Sequence, residues 1–255
     1  EFEMERLQSL YENEVKYNLS DSGNHPLSMN ELLSDEEIKK ILDMEIYYGY
    51  TTGDPKLLSA IASWYPEKIN ESNVLVTNGS AEANFLAGWT LIEPGDEVIM
   101  VLPNYMQVPG LAKNMGATVK TISLKESLEW HLDLDELSST VTEKTKLISI
   151  CNPSNPTGAV MTDDEMKSIA AIAEKHGAYV LSDEVYRGSE LDGNETKSFI
   201  DFYDKSIVSC GLSKSFAHPG LRIGWLIASP EVIQNIWTRK DYTTLCASVI
   251  SQEIG

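Results

Sequence analysis

The sequence predicts an α/β protein whose sheet is largely parallel and covered on both faces. Two observations carry this. Short apolar, β-branched runs recur at Val74–Thr77, Glu97–Val101, Thr118–Ile122, Lys146–Ile150, Tyr179–Leu181 and Ser206–Ser209. Helical patterns fall between most of them, at Ala81–Leu91, Val108–Asn114 and Asp163–Lys175. Parallel neighbours need long crossovers, and crossover helices cover the sheet, so strand-helix-strand alternation at this spacing reads as a doubly covered sheet.

The first fifty residues are polar and mixed, with a helix expected over Ser34 to Asp43. Asp54-Pro55 then opens a helix to about Tyr65. The aspartate offers an N-cap oxygen, and the proline fixes φ for a first turn that needs no N–H. No repeat or low-complexity segment interrupts the alternation that follows.

Composition narrows the function classes. The 255 residues are 42% hydrophobic and 23% charged, enough for a well-formed core. A net charge of −19 repels nucleic acid and anionic lipid, so neither is expected as a partner. No apolar run is long enough to span a membrane, and the N-terminus lacks the basic-then-apolar pattern of a signal peptide. Cys151, Cys210 and Cys246 are scattered, with neither zinc spacing nor a disulfide framework, which points to a reducing cytoplasm. His25, His131, His176 and His218 share no ligand spacing, so no metal is expected.

Ligands of open α/β sheets bind beyond the carboxyl ends of the strands. Four strings lie there. Asn78-Gly79-Ser80-Ala81 follows a strand and opens a helix, so free N–H groups and the helix dipole make an anion site to which Ser80 adds a hydroxyl. Asn152-Pro153-Ser154-Asn155-Pro156-Thr157-Gly158 is stiffened by two Asn-Pro steps and can aim an amide at a ligand. Ser182-Asp183-Glu184-Val185-Tyr186 ends the apolar run Ala178–Leu181, where a carboxylate is costly without a partner. Glu184 alternates to the other side and reads as structural. In Gly211-Leu212-Ser213-Lys214-Ser215-Phe216, followed by Pro219-Gly220-Leu221-Arg222-Ile223-Gly224-Trp225, a lysine at a strand end precedes an arginine by eight residues. Such a lysine is a candidate Schiff-base former, because burial and a nearby cation favour the neutral amine. Trp225 reads as core and His218 as a packing or exposed residue.

Together and in this order, the four strings resemble the class I/II aminotransferases, fold type I of the pyridoxal-phosphate enzymes and members of the aspartate-aminotransferase superfamily. The match runs from about Asn18 to the end of the chain. The resemblance implies a three-layer α/β/α large domain with a mostly parallel seven-stranded sheet, over residues 46–255. Residues 1–45 would then be an N-terminal segment and part of a smaller α+β domain. Family members continue past the position of Gly255, completing the small domain and supplying the arginine that grips the substrate α-carboxylate.

The resemblance also implies roles, and pyridoxal 5'-phosphate as the cofactor. Lys214 would form the Schiff base and later move the substrate proton. Asp183 would pair with the pyridine nitrogen and keep it protonated, an electron sink for the substrate carbanion. Asn155 and Tyr186 would hydrogen-bond the ring 3-oxygen, making Lys214, Asp183 and Tyr186 the catalytic set. Tyr105, in Pro103-Asn104-Tyr105, would stack on the ring. Ser80, the N–H groups of Gly79 and Ala81, Ser213 and Arg222 would hold the phosphate. Tyr48 matches a tyrosine that reaches the phosphate of a neighbouring subunit, with Tyr47 and Tyr50 as close alternatives, so a homodimer with shared sites is implied. Gly23, in Ser20-Asp21-Ser22-Gly23, and Asn155 would lie against the substrate. Gly211 stands where many relatives carry a serine hydroxyl on the phosphate.

Three functions fit such a site. The leading one is transamination between an amino acid and a 2-oxo acid. Asn18–Gly23, Leu212-Ser213-Lys214 and Arg239–Thr244 also resemble capreomycidine synthase, a pyridoxal-phosphate cyclase of this fold, which makes a lyase or cyclase the alternative. A cofactor-binding sensor that regulates transcription is a third reading, opposed by the acidic charge.

Overall fold

A computed structural model describes residues 2–255. The N-terminal part contains the helices α1 (Glu3–Tyr11), α2 (Met29–Leu32), α3 (Asp35–Leu42) and α4 (Pro55–Ser63). Strands and helices then alternate: β1 (Val74–Thr77), α5 (Ser80–Leu91), β2 (Glu97–Leu102), α6 (Gln107–Asn114), β3 (Thr118–Ser123), α7 (Leu134–Thr140), β4 (Thr145–Cys151), α8 (Asp163–His176) and β5 (Tyr179–Asp183). β6 (Ser206–Gly211), β7 (Gly224–Ile227), α9 (Pro230–Lys240) and α10 (Val249–Ile254) complete the order.

The seven strands form one sheet in the order β1-β7-β6-β5-β4-β2-β3. β7 runs antiparallel to both neighbours, and the other pairings are parallel. The carboxyl ends of β1, β4, β5 and β6 therefore share one edge with the amino end of β7. Adjacent strands bring Cys151 opposite Asp183, Asp183 opposite Ser209, and both Thr77 and Gly211 opposite Gly224.

Strand residues alternate between two faces. Leu75, Val98, Met100, Leu147, Leu181 and Leu226 pack with residues of α5, α6 and α9. Ile99, Val101, Ile148, Ile150 and Val180 face the other way, among residues of α7 and α8. Val74, Val76, Val208 and Trp225 continue that second face beneath α4. Three layers result, because a sheet apolar on both faces needs helices on both.

Local chemistry sets the helix starts. Asp54 caps α4 by accepting from the Lys56 N–H at 2.8 Å, with Pro55 in the first turn. Ser34 and Glu37 form a capping box that opens α3, and Thr162 with Glu165 does the same for α8. The six expected strands are all present, β1 with the expected bounds and the others one or two residues longer at one or both ends, while β7 lies outside the expected runs. α1, α2, α7, α9 and α10 lie outside the expected helices. Ser229-Pro230, at the start of α9, carries the same cap-plus-proline signal as Asp54-Pro55.

Candidate active site

The β1–α5 turn is the base of the site. Gly79 holds φ 79 and ψ 164, a combination open essentially only to glycine. No side chain caps α5, so its first-turn N–H groups, those of Ser80 and Ala81 among them, lack helical partners. Neighbouring strands crowd this turn. A Cβ on Gly224 would lie 2.3 Å from the Gly79 carbonyl carbon and 2.4 Å from the Ser80 nitrogen. A Cβ on Gly79 would lie 2.3 Å from Nη2 of Arg222. The Arg222 guanidinium thus sits beside open helix amides. It also donates to the Pro219 carbonyl at 3.0 Å and lies 3.5 Å from the Ser213 hydroxyl. Amides, guanidinium and the hydroxyls of Ser80 and Ser213 converge on one anion cradle. At Gly211 a Cβ would meet the Ile223 carbonyl at 2.9 Å, so this backbone leaves no room for a side chain such as serine's.

The amine and the carboxylate follow from the same strand ends. Lys214 leaves β6 three residues past Gly211, and its Nζ donates to the Ser22 hydroxyl at 3.1 Å. Asp183 ends β5 half-buried. It accepts from Asn84 Nδ2 at 3.1 Å and from the Val185 N–H at 3.3 Å. Burial pushes its carboxyl up from the ordinary range, while Asn84, Val185 and the charge of Lys214 work against that rise. Asn155 Nδ2 donates to the Tyr186 hydroxyl at 2.8 Å, and that hydroxyl lies 2.7 Å from the Ser22 hydroxyl. The Tyr186 phenol is pushed up to about 12, chiefly by burial. Tyr105 packs its ring 4.9 Å from that of Phe2, and burial and then the Glu5 carboxylate push its phenol up.

Glu82, in the first turn of α5, ties the cradle together. It accepts from the Asn78 N–H at 2.6 Å and from the hydroxyls of Thr243 and Thr244 at 2.6 and 2.7 Å. Burial opposes its charge, and these three donors outweigh it, holding the carboxyl below its ordinary value. The fully buried Lys240 steadies the loop that carries both threonines by donating to the carbonyls of Thr51 and Leu245.

Most of the expected residues come together here. Gly79, Ser80, Ala81, Ser213 and Arg222 meet at the cradle, Lys214, Asp183, Asn155 and Tyr186 line the space beside it, and Gly23 packs against the Lys214 stem. Tyr48 does not join them within this chain: it is 83% exposed, and Tyr47 and Tyr50 are exposed beside it. Trp225 is core, donating to the Tyr65 hydroxyl, and Glu184 is buried with its carboxyl raised by burial to about 7. His218 is half-buried, its Nε2 without a hydrogen-bond partner among the described residues, and burial lowers its pKa. Ser22, Asn84 and Glu82 were not among the expected site residues. Only Asn84 carries a sequence signal, a polar residue on the buried stripe of an apolar helix.

A family model described as aminotransferase class I and II matches residues 19–254. The chain belongs to this family. As a class I and II aminotransferase it is similar to a probable aspartate aminotransferase of Methanocaldococcus jannaschii, 34% identical over 85% of the chain and 60% of the relative. It is 35% identical to a probable N-acetyl-LL-diaminopimelate aminotransferase of Bacillus subtilis, over 84% of the chain and 56% of the relative. The chain thus spans roughly three fifths of the length of these curated relatives. A PLP-dependent aminotransferase structure from Streptococcus suis superimposes with TM-score 0.92 at 35% identity, covering 98% of this chain and 68% of the other. The aspartate aminotransferase of Thermotoga maritima does so with TM-score 0.85 at 28% identity, over 99% and 68%.

Proposed function

We propose that this chain builds the cofactor site of a pyridoxal-phosphate-dependent aminotransferase, which moves an amino group between an amino acid and a 2-oxo acid. One juxtaposition carries the reading: Lys214, Asp183 and the Gly79–Arg222 cradle share one sheet edge. The donor set fits the cofactor. Uncapped amides, a guanidinium and two hydroxyls suit a phosphate, in a cradle that glycines 79 and 224 keep free of Cβ atoms. A carboxylate suits a pyridinium, and an amine suits an aldehyde. When bound, pyridoxal phosphate supplies a ring that accepts the electron pair left when the substrate Cα–H ionises.

The chain's own groups do the rest. The Lys214 amine carries the cofactor covalently and moves the proton at the substrate Cα. Asp183 holds the proton on the ring nitrogen. Asn155 and Tyr186 donate to the 3-oxygen, and Tyr105 covers one ring face. Gly79, Ser80, Ala81, Ser213 and Arg222 hold the phosphate, and Gly23 and Asn155 face the substrate. The names of the relatives favour transamination over the cyclase chemistry, and they span more than one amino acid.

We further propose a cytoplasmic homodimer in which Tyr48 reaches the partner's phosphate. Supporting this, Leu42, Ile46, Tyr47, Tyr48 and Tyr50 form an exposed apolar stretch close in sequence to α4. Residues 46–255 make the large domain, and residues 1–45 the N-terminal segment and part of the small one.

The test uses the full-length protein. Borohydride reduction in the presence of pyridoxal phosphate, followed by peptide mapping, should label Lys214. In a separate, unreduced sample of the holoenzyme, an amino acid alone should release at most one oxo acid per bound cofactor until an acceptor oxo acid is supplied. A label on Lys205 or Lys240 instead, or release without an acceptor far beyond one equivalent, would sink the reading.

A further inference from the structure

The N-terminal segment reaches the candidate cofactor lysine from far along the chain. Leu27 N–H donates to the Ala217 carbonyl at 3.3 Å, and Asn24 Nδ2 donates to the Ser215 carbonyl at 3.2 Å. These bonds lay residues 22–27 along the loop that carries Lys214. Asp21 Oδ1 accepts from the Gly23 N–H at 2.8 Å and turns the backbone between them. Gly23 lets that turn come close: a Cβ there would meet the Asp21 carboxylate at 3.3 Å, the Ser213 carbonyl at 3.6 Å and Cδ of Lys214 at 3.8 Å. The turn delivers the Ser22 hydroxyl to the end of the lysine.

That hydroxyl makes two contacts. Lys214 Nζ donates to it at 3.1 Å, and the Tyr186 hydroxyl lies 2.7 Å away. Tyr186 in turn accepts from Asn155 Nδ2 at 2.8 Å. A serine oxygen has two lone pairs and one proton. It can accept from Nζ and still accept from, or donate to, Tyr186. In either arrangement the amine is held on the side of the pocket where Asn155 and Tyr186 stand. A lysine has four rotatable side-chain bonds, and among the described residues the Ser22 hydroxyl is the one hydrogen-bond partner of Nζ.

We propose that Ser22 is a positioning residue for Lys214, holding the ε-amine beside Tyr186 whenever that amine is not bonded to the cofactor. This rests on the reading of Lys214 as the cofactor lysine. An amine that must collect and return a proton at the substrate Cα works only from a narrow range of positions, and about 1 Å of misplacement costs on the order of 10²-fold in rate. The hydroxyl narrows that range at the stage when the amine is otherwise free.

The test compares Ser22→Ala, Ser22→Val and Ser22→Thr in the full-length holoenzyme and in the same protein stripped of cofactor. In the stripped protein, labelling by an amine reagent read by peptide mapping should be several-fold faster at Lys214 in the Ala and Val variants, with Lys205 unchanged as an internal control. In the holoenzyme both variants should bind cofactor and retain the borohydride label on Lys214. The rate of oxo acid release should fall by a factor of ten or more, and the primary isotope effect with an α-deuterated amino acid should rise, because proton transfer becomes the slow step. Ser22→Thr, which keeps the oxygen, should bring the rate, the isotope effect and the Lys214 labelling most of the way back to wild type. A Val variant that matches Thr in rate, isotope effect and Lys214 labelling overturns the proposal, and so does an equal loss in all three. If wild type itself fails to carry the borohydride label on Lys214, the cofactor-lysine reading fails first, an outcome distinct from a labelled Lys214 that is indifferent to Ser22.

Discussion

Asn84 Nδ2 donates to Asp183 Oδ2 at 3.1 Å, joining the buried face of α5 to the end of β5. The same helix begins at the cradle, so one rigid element sets both the anion site and the orientation of the acid. Asn84 is 3% exposed, and its Oδ1 has no partner among the described residues, so the amide serves Asp183 and little else. A hydrogen bond to a charged group is worth about 1.5–3 kcal/mol. Asn84→Leu should therefore slow turnover by roughly ten- to a hundredfold with Lys214 still labelled by borohydride. Turnover within twofold of wild type would remove Asn84 from the site.

Asp183 itself should show a conflict between stability and function. Burial raises its carboxyl, so the folded chain keeps a proton that the unfolded chain has lost, and stability falls as pH rises above the ordinary aspartate range. Asp183→Asn should raise the melting temperature of the cofactor-free protein at neutral pH. The same variant should lose orders of magnitude in turnover, since the ring nitrogen loses its counter-charge. Calorimetry together with steady-state rates would separate the two effects, and a variant both less stable and fully active would contradict the assignment.

Gly79→Ala should damage the cradle without disturbing the sheet. The added methyl would lie 2.3 Å from Nη2 of Arg222, and the backbone conformation at Gly79 costs a residue with a Cβ on the order of 1–3 kcal/mol. Cofactor affinity should fall at least tenfold, read by dialysis against pyridoxal phosphate. Gly193→Ala makes a control, because a Cβ there meets nothing within 4 Å, although its φ of +77 is also positive.

Glu82→Ala should loosen the same cradle from behind. It removes the acceptor for the half-buried Asn78 N–H and for the exposed hydroxyls of Thr243 and Thr244; the hydroxyls can turn to water, and the abandoned N–H costs about 1–3 kcal/mol. Both the melting temperature and the cofactor affinity should drop. The stabilisation from Glu82 is present above the ordinary glutamate range and fades as pH falls through its lowered value, so wild type and variant should converge in acid. A difference in melting temperature that persists unchanged into acid would argue against a charged Glu82.

Glu184 gives the opposite pH dependence. Its Oε1 accepts from Phe199 N–H, Ser198 and Ser182, while Oε2 has no hydrogen-bond partner among the described residues and lies 4.0 Å from Nη1 of Arg187. Burial raises the carboxyl from 4.5 to about 7. Across that window the folded state holds a proton that the unfolded state has released. Stability from this group is therefore complete below pH 4.5 and declines as pH rises to about 7, by at most about 1.4 kcal/mol per pH unit. Glu184→Gln should flatten that slope, even if the amide packs less well against Arg187. An unchanged slope in denaturant titrations would assign the dependence to another group.

By itself the sequence determined six of the seven strands, the start of α5 and the four strings that carry chemistry. Each is a local matter: apolar periodicity, a cap with a proline, or a turn residue read within a few positions. The absence of room at Gly211 and the close approach of Gly79 to Arg222 were decided elsewhere, by the placing of β7 between β1 and β6. Ser22 with Lys214, Glu82 with Thr243 and Asn84 with Asp183 lie 192, 161 and 99 residues apart. No periodicity spans such distances. Only the order of strands in the sheet and the path of residues 22–27 along the Lys214 loop bring these groups into reach, because a hydrogen bond needs contact within about 3 Å, and contact between distant segments is a property of the packed chain.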